Sequence, residues 1–170
     1  MDLYKLIRDI PDYPHEGILF RDITPLLKDA KGLECAINQM SDELSDVDFD
    51  IVIGPESRGF IFGVPVAYKM HKGFVPARKP NKLPFDRISQ SYDLEYGSNT
   101  IELHADAIAK GQKVVIVDDL LATGGTTKAT IELVEKLGGE VVKIVYLIEL
   151  EGLDGRKILG NIPVSSLLKY

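Results

Sequence analysis

The sequence is poor in the residues that mark several classes of protein. It has one cysteine, Cys35, among 170 residues, so an internal disulfide is impossible and a reducing compartment is favoured. Cys35 lies in a stretch with helical spacing, where a small buried residue is a better interpretation than a nucleophile. No apolar run approaches ~20 residues, and the first residues combine acids with no long apolar core. We therefore expect no transmembrane helix, no signal peptide and a cytoplasmic location.

Positive charge is also in short supply. Twenty Lys and Arg stand against 26 Asp and Glu, which gives a net charge of −6. This balance argues against non-specific binding to nucleic acid or to an anionic membrane, although a local patch could still bind a small anion. The histidines His15, His71 and His104 show no metal-ligand spacing, so we expect no metal held directly by side chains. Neither GxGxxG nor GxxxxGK[ST] occurs, which argues against a dinucleotide site and the common P-loop.

Alternating strand and helix patterns predict a single α/β domain over residues 1–170. The fold class is an open, mostly parallel twisted sheet flanked by helices. In such sheets ligands bind beyond the carboxyl ends of the strands. Strands are predicted at residues 49–53, 73–77, 91–94, 100–104, 114–117 and 141–149, and helices at residues 29–44, 60–70, 105–110 and 126–137.

The stretch VVIVDDLLATGGTT, residues 114–127, predicts a strand, an anion-binding loop and a helix start. Amide groups at a helix start are unpaired and carry the positive end of the helix dipole. Gly124 and Gly125 allow a ligand to approach the backbone closely, and Thr123, Thr126 and Thr127 add hydroxyl donors. These features together are typical of a phosphate site.

Asp118 and Asp119 precede this loop directly. Carboxylates beside a phosphate site would repel the ligand unless they had another task. They could hydrogen-bond sugar hydroxyls or help to hold a divalent cation that bridges phosphates. A sugar phosphate would use both the acids and the loop. The alternative is a solvated acidic turn at the end of a strand.

The same stretch resembles the signature with which type I phosphoribosyltransferases bind phosphoribosyl pyrophosphate (PRPP). The resemblance implies that Asp118 and Asp119 face the ribose hydroxyls. It also implies a small hood at residues 1–30, a flexible lid loop at residues 79–97, and Mg²⁺ that arrives with the substrate. The residues implied to bind the 5′-phosphate are Ala122, Thr123, Gly124, Gly125 and Thr126.

A second anion site is predicted in GPESRGF, residues 54–60, which follows a predicted strand and opens a helix. Arg58 is suited to bind an anion through two hydrogen bonds, with a surface ion pair as the alternative. The resemblance implies that Glu56, Ser57 and Arg58 bind pyrophosphate, and that the peptide bond between Glu56 and Ser57 is cis.

Residues 78–87 contain four basic residues and one acid. A solvated face or a nucleic-acid contact would explain such a run, but the segment is short. A basic loop that closes over pyrophosphate and excludes water fits better. Arg78, Lys79 and Lys82 are assigned to pyrophosphate. The residues assigned to the lid itself are Arg87, Tyr92 and Tyr96.

Three further stretches, HEGILFRDITPLL (15–27), SYDLEYG (91–97) and LIELEGLDGR (147–156), resemble the adenine-using members of this family. The resemblance implies that adenine lies between Leu150 and a group formed by Leu19, Phe20 and Arg21. Core packing is the alternative for Phe20 and Leu150. The same resemblance implies that Glu95 acts as a general base on the proton of a purine ring nitrogen. It also implies that Arg58 is the second catalytic residue.

The implied activity is purine salvage: adenine and PRPP give AMP and pyrophosphate, in a homodimer with neither nucleic acid nor membrane as partner. Two alternatives stay open. One is a phosphoribosyltransferase that uses hypoxanthine or guanine, because one fold serves several bases. The other is a non-catalytic regulator that senses PRPP.

Overall fold

The structure, a computed structural model, describes residues 1–94 and 96–170. Glu95, the expected general base, lies outside the described residues. Two compact units divide the chain at Gln39, and they span Met1–Gln39 and Met40–Tyr170.

The Met1–Gln39 unit contains a short antiparallel strand pair that the sequence analysis did not predict. Strand β1 (Arg8–Pro11) pairs with strand β2 (Leu19–Asp22), and helix α1 (Thr24–Lys28) follows with a proline in its first turn. Helix α2 (Ala30–Asp42) begins in this unit and confirms the predicted helix within two residues at each end. Strands of four residues show too little alternation to be recognised from sequence.

The Met40–Tyr170 unit is built on a parallel sheet, as predicted. The sheet strands are β3 (Ile51–Pro55), β4 (Gly73–Ala77), β7 (Lys113–Leu121), β8 (Glu140–Glu149) and β9 (Val164–Lys169). The strand order is β4-β3-β7-β8-β9, and every neighbouring pair is parallel. Helix α3 (Arg58–Lys69) follows β3, and helix α4 (Gly125–Lys136) follows β7.

A separate antiparallel pair lies between β4 and β7 in the chain. It consists of strands β5 (Arg87–Asp93) and β6 (Ser98–His104), with Tyr92 opposite Asn99. The predicted strands at residues 91–94 and 100–104 are therefore confirmed as a pair. Strand β5 begins four residues earlier than predicted, inside the segment that was interpreted as an irregular basic loop.

The centre of the core is β7, which is buried on both faces as a parallel strand should be. Val114, Val115, Ile116 and Val117 are all fully buried. Each such side chain contributes about 1.5–3 kcal/mol relative to an exposed position. This burial fixes the strand that delivers the two acids to the edge of the sheet.

Two predicted features differ from the structure. Residues 105–110 form turns instead of a helix, because six residues before Gly111 are too few for a stable helix. Strand β7 continues past Val117 to Leu121, so Asp118 and Asp119 lie within the last residues of the strand and not in the loop. Pairing of Asp118 with Tyr146 on β8 sustains this extension. In the described part of the chain, no helix is long and apolar enough to cross a membrane.

Candidate active site

The two predicted anion loops lie side by side, because β3 and β7 are neighbours in the sheet. Each loop leads directly into a helix, α3 or α4. The start of α3 approaches the end of β7 so closely that a Cβ on Gly59 would lie 2.9 Å from Asp118 Oδ1. Glycine at position 59 therefore lets the start of α3 contact the acids of β7.

The loop after β7 has the backbone of an anion site. Gly124 precedes α4 with a φ of +87°, and a Cβ there would also meet the Gly155 carbonyl oxygen at 2.7 Å. Only glycine suits both conditions. A cavity of about 170 Å³ lies over this turn, and it is lined by Asp118, Tyr92 and the predicted phosphate-binding residues Ala122, Thr123, Gly124, Gly125 and Thr126.

The two acids of β7 have different partners. Asp119 is 5% exposed, and its Oδ2 lies 2.7 Å from Arg58 Nε. Asp118 accepts a hydrogen bond of 2.8 Å from the Asp119 amide. Burial raises the pKa of Asp118 well above its usual range, and the neighbouring Asp119 charge raises it further. Burial also raises the pKa of Asp119, against the opposing effect of Arg58. A hydroxyl donor or a cation beside the two carboxyl groups would stabilise their ionised form.

The acids and the predicted pyrophosphate residues share a cleft of about 410 Å³. Its walls include Ser57, Arg58 and Lys79 on one side and Ala122 and Thr126 on the other. The peptide bond between Glu56 and Ser57 is cis, as the resemblance implied. The structure thus brings both acids into one cleft with Ala122 and Thr126 of the predicted phosphate residues and with Glu56, Ser57, Arg58 and Lys79 of the predicted pyrophosphate residues. Thr123, Gly124 and Gly125 line the cavity over the turn instead, and Arg78 and Lys82 pair with Glu56.

Glu56 pairs with basic residues of the protein, and a carboxylate is not itself suited to bind an anion. Its side chain is 6% exposed, and it accepts hydrogen bonds from the Lys79 amide (2.6 Å) and Arg78 Nε (3.2 Å), with Lys82 Nζ at 3.4 Å. Burial opposes ionisation of Glu56, but these partners outweigh it and hold its pKa below the usual value. Glu56 therefore anchors the basic segment that was predicted to bind pyrophosphate.

Glu102, which the sequence analysis missed, anchors the same segment from the other side. It is 4% exposed and accepts hydrogen bonds from Ser89 Oγ (2.6 Å), the Asn81 amide (2.8 Å) and Arg87 Nε (3.0 Å). Arg87, assigned to the lid, is thus part of an ion pair at the start of β5. The only signal in the sequence was a charged residue between two apolar ones, Ile101 and Leu103.

The other lid residues differ in exposure. Tyr96 is 88% exposed. Tyr92 instead lies against the phosphate loop, with its hydroxyl 2.8 Å from Thr126 Oγ1.

The residues expected to contact adenine belong to separate units. Leu19 is 45% exposed, Phe20 packs edge-on against Tyr13, and Arg21 pairs with Asp9. Leu150 follows β8, and its amide donates a hydrogen bond to the Leu121 carbonyl. Their contact with adenine stays a prediction.

Comparison with known proteins places this geometry in a family. Residues 24–158 match the phosphoribosyl transferase domain family. Adenine phosphoribosyltransferase of Lachnoclostridium phytofermentans is 56% identical over 168 residues, which is 99% of this chain and 97% of that protein. The enzyme of the same name from Pseudothermotoga lettingae is 54% identical over 170 residues, with both chains covered completely.

Solved structures agree with the sequence relatives. The crystal structure of adenine phosphoribosyltransferase from Thermoanaerobacter pseudethanolicus superimposes with a TM-score of 0.97 at 52% identity, and covers 99% of this chain and 98% of that one. The Saccharomyces cerevisiae enzyme, complexed with an imino-altritol bisphosphate and adenine, has a TM-score of 0.91 at 38% identity, with 97% and 96% covered.

Proposed function

The chain belongs to the phosphoribosyltransferase family, and we propose that it transfers the 5-phosphoribosyl group of PRPP to adenine in purine salvage. The products are AMP and pyrophosphate. Relatives named adenine phosphoribosyltransferase are 54–57% identical to this chain over nearly its whole length. The observation that carries the chemistry is the single cleft in which Asp118, Asp119 and Arg58 meet the loop before α4.

The loop before α4 binds the 5′-phosphate in this proposal. The first amides of α4 and the hydroxyl of Thr126 supply donors, and Gly124 and Gly125 leave room for the phosphate oxygens. The ribose hydroxyls then lie over Asp118 and Asp119 and donate to their carboxylates. That contact gives the buried Asp119 and the half-buried Asp118 the donors that favour their charged form.

Departure of pyrophosphate is assisted by the positive groups on the opposite wall. The bond from the anomeric carbon to the pyrophosphate oxygen breaks, and a bond from that carbon to adenine N9 forms. Arg58 and Lys79 lie where negative charge accumulates on the leaving group, which lowers the barrier. Glu56 and Glu102 hold the segment that carries Lys79. The proton lost from the adenine ring is assigned to Glu95, on the resemblance alone.

The donor set also fits a Mg²⁺ ion that enters with the substrate. Mg²⁺ prefers oxygen ligands and is usually held by one or two carboxylates together with substrate phosphates. In this proposal pyrophosphate oxygens and ribose hydroxyls would hold the ion directly, and Asp118 and Asp119 would act on it through the ribose hydroxyls that they accept from. When bound, the ion would neutralise charge on the pyrophosphate. Its requirement, the homodimer and the cytoplasmic location stay predictions.

Phosphorus NMR tests the proposed reaction directly. The purified protein is mixed with PRPP, Mg²⁺ and adenine, and the phosphate signals are followed over time. The expected result is loss of PRPP with equal amounts of AMP and pyrophosphate. PRPP that persists in the presence of adenine would overturn the proposal.

A further inference from the structure

Two tyrosine hydroxyls reach threonine hydroxyls in the first turn of α4. Tyr92 OH lies 2.8 Å from Thr126 Oγ1, and Tyr146 OH lies 2.5 Å from Thr127 Oγ1. Tyr92 and Thr126 both line the cavity over the loop before α4, whereas Tyr146 is fully buried in the sheet. The same kind of bond is thus made twice at adjacent residues, once at the cavity and once in the core.

The Tyr92 ring is held in place by the phosphate loop itself. A Cβ on Gly125 would lie 2.8 Å from Tyr92 Cδ2, so the ring packs directly on the glycine backbone. Tyr92 belongs to β5, and Thr126 lies 34 residues further along the chain. The contact therefore joins the strand that follows the basic segment to the turn that would bind phosphate.

The charge of the ligand decides which hydroxyl donates. Ionised phosphate oxygens only accept hydrogen bonds, and a threonine hydroxyl has a single proton. If Thr126 donates that proton to phosphate, its oxygen must accept the hydrogen bond from Tyr92. A chain of two such bonds that ends at an anion strengthens each of its members.

We propose that Tyr92 is a positioning residue for the 5′-phosphate, and that it acts through the hydroxyl of Thr126. This inference rests on the proposed function, because it takes the loop before α4 as the phosphate site. Tyr92 fixes the Thr126 oxygen by donating to it, and so directs the Thr126 proton towards the ligand. This role is distinct from the lid role predicted for Tyr92 from the sequence, which stays a prediction.

Two matched variants test the inference, because each removes one hydroxyl and keeps the ring. Calorimetric titration measures the affinity of Tyr92→Phe and Tyr146→Phe for AMP and for pyrophosphate. For Tyr92→Phe we expect AMP affinity to fall about five- to tenfold and pyrophosphate affinity to stay unchanged. For Tyr146→Phe we expect lower thermal stability with unchanged AMP affinity.

A double-mutant cycle shows whether Tyr92 acts through Thr126. Thr126→Val keeps the side-chain shape and removes the hydroxyl. Adding Tyr92→Phe to Thr126→Val should cost no further AMP affinity, because the hydrogen bond between them is already lost. An equal loss from Tyr92→Phe in both backgrounds would overturn the inference.

The remaining outcomes separate the two proposals. Wild-type AMP affinity in Tyr92→Phe, or an equal loss in Tyr92→Phe and Tyr146→Phe, overturns the positioning role and leaves the proposed function intact. A wild-type protein that binds neither AMP nor pyrophosphate overturns the proposed function itself.

Discussion

The guanidinium Nε of Arg58 lies 2.7 Å from Oδ2 of Asp119, so one ion pair joins the start of α3 to the end of β7. The pair places the cation predicted to bind pyrophosphate beside the acid predicted to bind ribose. Arg58 is 46% exposed at its side chain, whereas Asp119 is 7% exposed. The exposed guanidinium can therefore face a ligand while it still favours the ionised form of the buried carboxyl.

Replacing Arg58 should impair the handling of pyrophosphate above all. For Arg58→Gln we expect kcat/KM for pyrophosphate, in the reaction with AMP, to fall by about 10²-fold, because one donor to the developing charge is lost. For Arg58→Lys we expect a partial loss, since an ammonium cannot make the paired hydrogen bonds of a guanidinium. Steady-state kinetics in the direction of PRPP synthesis measures both. An unchanged KM and kcat for pyrophosphate in Arg58→Gln would contradict this role.

Asp118 should reduce the stability of the ligand-free protein. Burial and the neighbouring Asp119 raise the pKa of Asp118, so ionising this carboxyl costs more free energy in the folded protein than in the unfolded chain. The resulting destabilisation is largest above the folded pKa and diminishes as pH falls from the folded towards the unfolded pKa. For Asp118→Asn we expect the free energy of unfolding at pH 7.5 to rise by about 1 kcal/mol.

The same substitution should weaken the ligand contact, because an amide accepts fewer hydrogen bonds than a carboxylate. Thermal unfolding with and without AMP measures both effects. We expect a higher Tm without AMP and a smaller increase in Tm on adding AMP. A lower Tm without AMP would show that the Asp118 charge is not costly.

Acid should loosen the anchors of the basic segment. Burial opposes ionisation of Glu102, but Ser89, Asn81 and Arg87 outweigh it and hold its pKa below the usual value. A carboxyl group whose pKa is lowered by folding stabilises the protein fully above its unfolded pKa, which is about 4.3 for glutamate. That stabilisation is lost as pH falls through the folded pKa. The pKa of Glu56 is lowered as well, so its contribution is lost in the same direction. We therefore expect Tm to be steady near neutral pH and to fall below about pH 4.3.

Glu102→Gln isolates this contribution. We expect it to lower the free energy of unfolding at pH 7 by about 2 kcal/mol and to reduce the acid sensitivity of Tm. It should also speed trypsin cleavage at Lys82, because the segment loses one anchor. Glu135→Gln, an exposed change on α4, is the control and should change neither Tm nor cleavage. Equal behaviour of the two variants would contradict the anchoring role.

Glu95 carries the prediction about proton transfer. For Glu95→Gln we expect turnover with adenine to fall by ~10²–10⁴-fold, the range typical of general acid–base catalysis. AMP binding, measured by titration, should stay close to that of the wild type, because phosphate and ribose contacts are retained. Full turnover in this variant would remove Glu95 from the mechanism.

The sequence allowed prediction wherever function depends on neighbours along the chain. The loop at Gly124 and the acids before it are contiguous, and the rule that ligands bind beyond the carboxyl ends of parallel strands also pointed to residues 54–60. The hydrogen-bond network of Glu102 could not be predicted from the sequence, because its partners Asn81 and Ser89 are 21 and 13 residues away. The same holds for Tyr92 and Thr126, which meet only after β5 packs on α4.

Local patterns also failed where elements are short. The turn at residues 105–110 has helix-forming composition, yet its first amide bonds to the Asp86 carbonyl instead of within a helix. Tertiary contacts thus decided a segment that local propensity could not sustain.

The most direct test of the account is a competition assay with three bases. The purified protein receives PRPP and Mg²⁺ together with equal concentrations of adenine, hypoxanthine and guanine, and the nucleotides are separated by chromatography. We expect AMP as the only product. IMP or GMP would contradict the assigned base, and the absence of any nucleotide despite tight binding of PRPP would contradict catalysis and favour a PRPP sensor.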